Sequence, residues 1–270
     1  MSDWFNVSRL WYAEDATARV QLTERFLAAT KSSDYDNLLR EYQLLFGRYS
    51  SLATIEDVRS VCELLRTAST MFALCHSEGP ATFEDFHGCG LSPVFLGWGD
   101  AEAPTSEISP DSFVVTFGYR VEPGAYADWL AEAAQTVKAR SFYAREAMRF
   151  DAGYLSYSSE LRGMDAYADA HKDCASILER LLNIHLVDVA TVCDGTTANH
   201  RQVAYSGVSL LWLGLSELLS GGRPFRCEAC GKPSVAYGER RIRRYCCSAC
   251  RKWANAHPGQ ERGHWYIEKR

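Results

Sequence analysis

Five of the ten cysteines in this 270-residue chain lie in its last fifth, and four of them read Cys227-x2-Cys230-x15-Cys246-x3-Cys250. Two close pairs of thiols separated by a hairpin-length spacer suit a tetrahedral zinc ion, which takes four soft ligands. The residues around them fit a short metal-held fold. Gly231 stands where a knuckle must turn, Pro233 interrupts the chain, and Tyr237-Gly238 marks a second turn. Beyond Cys250 the run Arg251-Lys252-Trp253-Ala254-Asn255-Ala256 has helix-forming composition and stops before Pro258-Gly259. A knuckle, a hairpin and a short helix carrying the second pair predict a treble-clef-like or zinc-ribbon-like finger with Zn2+ as its cofactor.

A disulfide framework is the rival reading of such a cluster, and it needs an oxidising compartment. The start Met-Ser-Asp-Trp has no basic region, no apolar core and no small-residue cleavage site, so a cytoplasmic protein with reduced thiols is expected. No membrane partner is expected either. The most apolar stretch, Val208 to Leu219, is too short to span a bilayer and contains Ser209, Ser216 and Glu217.

Spacing leaves the third ligand open between two neighbours. Cys246 gives x3 to Cys250, and Cys247 gives the commoner x2. The string Tyr245-Cys246-Cys247-Ser248-Ala249-Cys250-Arg251 resembles the Tyr-Cys-Ser-x-x-Cys-Arg element of several bacterial zinc fingers. In that alignment Cys246 is the ligand and Cys247 stands where the others have serine. A Leu-rich helix followed by Arg226-Cys227-x2-Cys230-Gly231 and Arg243-Arg244-Tyr245-Cys246 is similar to the CGNR zinc-finger group of bacterial transcription regulators. The likeness covers about the last fifty residues and lacks the Cys-Gly-Asn-Arg signature itself, since Cys250 is followed by Arg251-Lys252-Trp253. The resemblance implies a mostly helical N-terminal domain, a C-terminal finger and regulation of transcription.

Charge is a separate line of argument. Up to Gly222 the chain has 17 Lys and Arg against 30 Asp and Glu, a formal −13, whereas Arg223 to Arg270 has 12 against 4, a formal +8. A basic module on an acidic body suits phosphate contacts, which dominate nucleic-acid affinity. Arg240, Arg241, Arg243 and Arg244 precede the second cysteine pair, and Arg251, Lys252 and Trp253 follow it. These seven are the expected nucleic-acid-binding residues, with DNA the preferred partner. Trp265 and Tyr266 add further aromatic faces for stacking. The competing reading uses the arginines to balance the formal −2 of a four-thiolate zinc site or to dock on the acidic body. The module would then serve a protein partner or a second copy of the chain.

The elements that must carry this finger read as mainly helical. At 47 % hydrophobic residues the chain can bury a sizeable core. Val20, Phe26 and Leu27 begin one helix, and Leu38, Leu39, Tyr42, Leu45 and Phe46 form a second at helical spacing. Thr54 and Asp57 predict an N-cap before Val58, Val61, Leu64, Leu65 and Phe72. Longer patterns predict helices from Tyr126 to about Phe150, from about Met164 to Val189, and from Val203 to Leu219. Pro93 to Trp98 and Ser112 to Val121 are β-branched and aromatic, which predicts a small hairpin insert near residues 92–121, with Gly99 to Pro110 as a surface loop. The composition shift at Ser220-Gly221-Gly222-Arg223-Pro224 predicts a helical body over 1–222 and a finger over 223–270.

Catalysis finds no foothold in the sequence. There is no phosphate loop, dinucleotide fingerprint, Gly-x-Ser-x-Gly or His-Glu-x-x-His, so no catalytic residue is assigned and no enzyme is expected. Cys75-His76 and His87-Gly88-Cys89 lack standard ligand spacing and read as a helix end and a turn. His185 and His200 are isolated, His257 and His264 read as surface histidines, and Trp4, Phe5, Trp11 and Tyr12 read as core anchors.

Overall fold

A computed structural model describes residues 16–47, 50–76, 92–95, 112–140, 148–151, 153–162, 166–193, 200–237, 244–258 and 260. The described chain is mainly helical, with small antiparallel strand pairings. Its helices are α1 (Ala16–Ala28), α2 (Ser32–Phe46), α3 (Ile55–Cys75), α4 (Ala125–Arg140), α5 (Ala166–His185), α6 (Gly207–Ser220) and α7 (Ser248–Ala256). Its strands are β1 (Ser92–Phe95), β2 (Ser112–Arg120), β3 (Arg149–Asp151), β4 (Tyr154–Arg162), β5 (Val189–Cys193), β6 (His200–Ala204), β7 (Arg223–Arg226) and β8 (Pro233–Ala236). Among the described residues no helix is long and apolar enough to cross a membrane.

Two compact units emerge, each discontinuous in sequence. The first comprises Met1–Arg66, Val121–Gly153 and Arg180–Ser220; the second comprises Thr67–Arg120, Tyr154–Glu179 and Gly221–Arg270. Composition and compactness thus divide the chain differently, and α3 and α5 contribute residues to both units.

The first unit is built around α6, which is buried on nearly all sides from Gly207 to Leu215. A helix apolar all round belongs in a core rather than on a surface. Close approach to α1 depends on Gly214, where a Cβ would fall 2.3 Å from Thr23 Oγ1 and 2.8 Å from the Arg19 carbonyl oxygen. Thr23 Oγ1 lies 3.0 Å from both the Arg19 and the Leu211 carbonyl oxygens, so its hydroxyl bridges the two helices. Arg19, itself buried, pairs with Glu217 at 2.5 Å. Leu22 and Phe26 of α1, Leu38, Tyr42 and Phe46 of α2, and Val58, Val61, Leu64 and Leu65 of α3 complete this core.

The expected N-cap at Thr54 is present: Thr54 Oγ1 accepts from the Asp57 amide at 3.1 Å, and Asp57 Oδ2 accepts from the Ala53 and Thr54 amides at 2.9 Å each.

In the second unit β1 and β2 pair antiparallel, with Ser92 opposite Gly118, as the expected hairpin requires. The hairpin is part of something larger, because β2 pairs along its whole length with β4, from Ser112 opposite Arg162 to Arg120 opposite Tyr154. Within this unit the strand order is β1-β2-β4.

Three expected helix ends are corrected by strands. Of the helix expected from Tyr126 to about Phe150, Ala125–Arg140 is α4, whereas Arg149–Asp151 is β3. Gly153, at φ 80, turns the chain there into β4, a conformation that glycine adopts without strain. Likewise α5 stops at His185, Val189–Cys193 pairs antiparallel with His200–Ala204, and α6 starts only at Gly207, with Ser206 Oγ accepting from the Ser209 amide. The β-branched residues 189, 191, 192 and 203 favour strand over a helical continuation.

The loop expected at 99–110, the aromatic residues at 4, 5, 11 and 12, and His87 and Cys89 lie outside the described residues.

Candidate metal centre

The finger begins with the hairpin of β7 and β8, in which Arg223 faces Ala236 and Arg226 faces Pro233. Between the strands the chain makes a tight knuckle. The Gly231 amide donates to the Cys227 carbonyl at 2.8 Å, and the Cys227 amide donates to the Lys232 carbonyl at 3.0 Å. Gly231 sits at φ 71 with open space where a Cβ would stand, so it is the backbone conformation, not crowding, that calls for glycine. This turn holds Cys227 and Cys230 on one side of the hairpin.

The second pair comes from the start of α7. Cys246 lies just before the helix, and Cys250 is buried in its first turn. Cys247 occupies the N-cap between them, with its sulfur accepting from the Cys250 amide at 3.4 Å. A knuckle on a hairpin and the start of a helix thus each contribute two thiols.

The sulfurs converge. Cys230 and Cys246 are 3.7 Å apart, Cys246 and Cys250 3.6 Å, and Cys250 and Cys230 3.6 Å. With Cys227 included, all four lie within 4.8 Å of one another. A disulfide would bring two sulfurs to about 2.05 Å. A tetrahedral ion with metal–sulfur bonds of about 2.3 Å has edges of about 3.8 Å, close to the three distances found. The cluster can therefore hold a metal ion. Around it pack Ala229, Tyr245, Trp253 and Ala254.

The hydrogen bond from Cys246 pushes Cys230 down to about 5, and the same bond holds Cys246 well above the ordinary thiol range. Burial pushes Cys250 up to about 12. Four thiolates crowded together repel one another unless a cation lies between them.

Comparison with known proteins returns no matching family model, no matching curated protein and no matching solved structure. The geometry of the site itself therefore carries the functional reading.

The basic residues expected around the cluster divide into three groups. Arg240, Arg241 and Arg243 lie outside the described residues, as do His264, Trp265 and Tyr266. Arg244 is exposed but engaged: its Nε is 2.7 Å from Glu228 Oε1 and its Nη2 2.6 Å from Glu228 Oε2. The Glu228 amide also donates to the Arg244 carbonyl at 2.9 Å, so this pair staples the knuckle to the segment before the helix. Arg251 and Lys252 are exposed on α7, and among the described residues neither forms an ion pair.

Trp253 is half-buried against the cysteine cluster, and its indole stacks on the His257 ring with centroids 4.7 Å apart. His257 Nδ1 lies 3.0 Å from the Trp253 carbonyl oxygen, which occupies one ring nitrogen in closing the helix rather than in binding a metal.

Elsewhere, the His76 ring lies tilted against Phe72 and its Nδ1 bonds the Phe72 carbonyl at 2.8 Å, as expected of a helix end. Cys62 is buried, and burial pushes its thiol up to about 12, as for an inert core residue. His185, isolated in sequence, is fully buried: its Nε2 is 2.7 Å from Tyr126 Oη, its Nδ1 is 2.7 Å from the Leu181 carbonyl oxygen, and its ring stacks on Trp212 at 3.8 Å. Sequence reading missed the capping role of Cys247 and the Glu228–Arg244 staple. The signal for the first was available, since a residue just before a short helix occupies a capping position whatever its chemistry.

Proposed function

We propose that the C-terminal module is a zinc finger of treble-clef-like build and that this chain is a DNA-binding regulator of transcription, with its helical part sensing a ligand or contacting a partner. The observation that carries the reading is the sulfur spacing of 3.6–3.7 Å, at the edge length of a tetrahedral thiolate site. Zinc is favoured among tetrahedral four-sulfur ions because it needs no redox partner and is the usual structural ion in four-cysteine sites. The formal +8 of residues 223–270 supports a phosphate partner, and so does the exposed pair Arg251 and Lys252. The likeness of the last fifty residues to CGNR-type fingers supports regulation in particular.

One observation favours a second reading. The Glu228–Arg244 pair spends an arginine inside the finger, as a purely structural or protein-binding module would. The two readings part in a simple experiment. Full-length protein purified without chelator is expected to carry one zinc by elemental analysis and to bind duplex DNA with an affinity that falls by roughly 0.9 log unit per log unit of salt for each phosphate neutralised. Absence of zinc would overturn the finger. Zinc-loaded protein that binds neither DNA nor RNA at low salt would make the protein-interaction module the better account.

A further inference from the structure

Helix α7 has two faces of different kinds. Cys250, Trp253 and Ala254 lie on the face packed into the cysteine cluster, with His257 continuing that stripe one turn on. The remaining residues, Ser248, Ala249, Arg251, Lys252, Asn255 and Ala256, are exposed. Three of those six are small, so only Arg251, Lys252 and Asn255 project. Such a face lets a helix backbone come close to another surface while three polar side chains reach ahead of it.

We propose that this face of α7 is a recognition surface for the major groove of duplex DNA, in which Arg251 and Asn255 read base edges and Lys252 holds a phosphate. The inference rests on the nucleic-acid reading above and specifies how it is carried out.

Dimensions and chemistry favour this occupant. An α-helix is about 10–12 Å across with side chains, and the major groove is about 12 Å wide. Arg251 and Asn255 stand four residues apart on one face, a rise of about 6 Å, or nearly two base-pair steps of about 3.4 Å, so the two side chains reach different base pairs. Arginine is the side chain best matched to guanine O6 and N7, and asparagine to adenine N6 and N7. The charge of the module, formally +8, complements the duplex. Arg244 is already neutralised by Glu228, which leaves Arg251 and Lys252 as the cations of the finger helix free of ion pairs among the described residues. Stacking on single strands is less well served, because the Trp253 indole has one side toward the cluster and stacks on His257. The first turn of the helix is also anchored, with Cys250 buried in the cysteine cluster and Cys247 at the cap, as suits a base-reading element.

The test is selection of bound duplexes from a random library by the full-length zinc-loaded chain, followed by sequencing, repeated with Arg251→Ala, Asn255→Ala and Lys252→Ala. These side chains are exposed, so zinc content and circular dichroism should match wild type and establish that each variant is folded. Wild type is expected to select a short motif. Arg251→Ala and Asn255→Ala should each relax the preference at one position, a different one in each case, by on the order of ten- to a hundredfold, with the salt slope nearly unchanged. Lys252→Ala should keep the motif and flatten the slope by about one phosphate. Salt-dependent duplex binding with no motif, or a motif untouched by both alanine variants, would overturn this inference and leave the nucleic-acid reading standing. Preference for RNA or single strands over duplex would overturn the major-groove assignment. Failure of wild type to bind any nucleic acid at low salt would overturn both readings together.

Discussion

The sulfur of Cys247 accepts a hydrogen bond from the backbone amide of Cys250 at 3.4 Å, which makes one cysteine the helix cap of another that belongs to the four-cysteine cluster. Sulfur is a weak acceptor, and serine is among the best N-cap residues. Cys247→Ser is therefore expected to keep one metal per chain and to stabilise the finger slightly, by about 0.5 kcal/mol. Cys246→Ser should lose the metal. Elemental analysis of both variants, with chelator competition to rank their affinities, checks the assignment. Metal retained by Cys246→Ser and lost by Cys247→Ser would move the ligand to the neighbouring residue.

The staple between Glu228 and Arg244 sets a second expectation. A guanidinium already paired with a carboxylate adds no net charge to the proposed phosphate-binding surface. Arg244→Ala should therefore change the salt dependence of DNA binding by less than one phosphate equivalent, whereas Lys252→Ala should change it by about one. Salt titrations of the two variants side by side decide the matter; a full unit lost in Arg244→Ala would show that the staple opens on binding.

Asp57 joins two helices in the first unit. Its Oδ2 caps α3, and its Oδ1 accepts from the Tyr126 amide at the start of α4 at 3.1 Å. Loss of the carboxylate removes a cap and leaves buried amides without their acceptor, so Asp57→Ala should cost about 3 kcal/mol. Gly124 is part of the same joint, because a Cβ there would fall 2.5 Å from Asp57 Oδ1. Gly124→Ala should also destabilise, without any change of charge. Urea unfolding followed by tryptophan fluorescence measures both; near-wild-type midpoints would show that the joint is dispensable.

Burial holds His185 neutral, with its pKa lowered to about 3 from the ordinary imidazole value near 6.5. In the unfolded chain it takes up a proton as pH falls through about 6.5, while the folded chain does not until about 3. Stability from this group is thus complete above about pH 6.5 and falls with acidification, by about 2 kcal/mol between about pH 7 and pH 5. His185→Gln should be less stable at neutral pH yet lose about 2 kcal/mol less over that interval. Comparison of the two proteins by urea unfolding at the two ends of the interval cancels the acid sensitivity of the thiolate site, which they share. Parallel losses in both would show that His185 is not held neutral.

Local chemistry made the cysteine cluster and several helices legible in the sequence alone. Cysteine spacing, the Gly231 turn and the charge of residues 223–270 are properties of neighbours along the chain, and so is the Thr54–Asp57 cap, whose partners stand three residues apart. Helical periodicity located α2, α3 and most of α6 for the same reason. Spacing alone could not choose between Cys246 and Cys247; only the helix start, which points one sulfur into the cluster and leaves the other at the cap, separated them. Periodicity alone assigns residues 149–150, 189 and 203–204 to helix ends rather than to strands, because pairing energy comes from a partner strand that a local pattern does not contain. β2 and β4 are joined for the same nonlocal reason. Tertiary structure also turned His185 from an isolated histidine into the partner of Tyr126, 59 positions away, and gave Asp57 a second helix to cap, 69 positions away. It paired Arg244 with Glu228 and so separated the arginine that braces the finger from the cations left exposed on α7. Residue types and short spacings determine which chemistry is available, whereas burial, partners and facing depend on contacts between distant segments and are decided only when the chain folds.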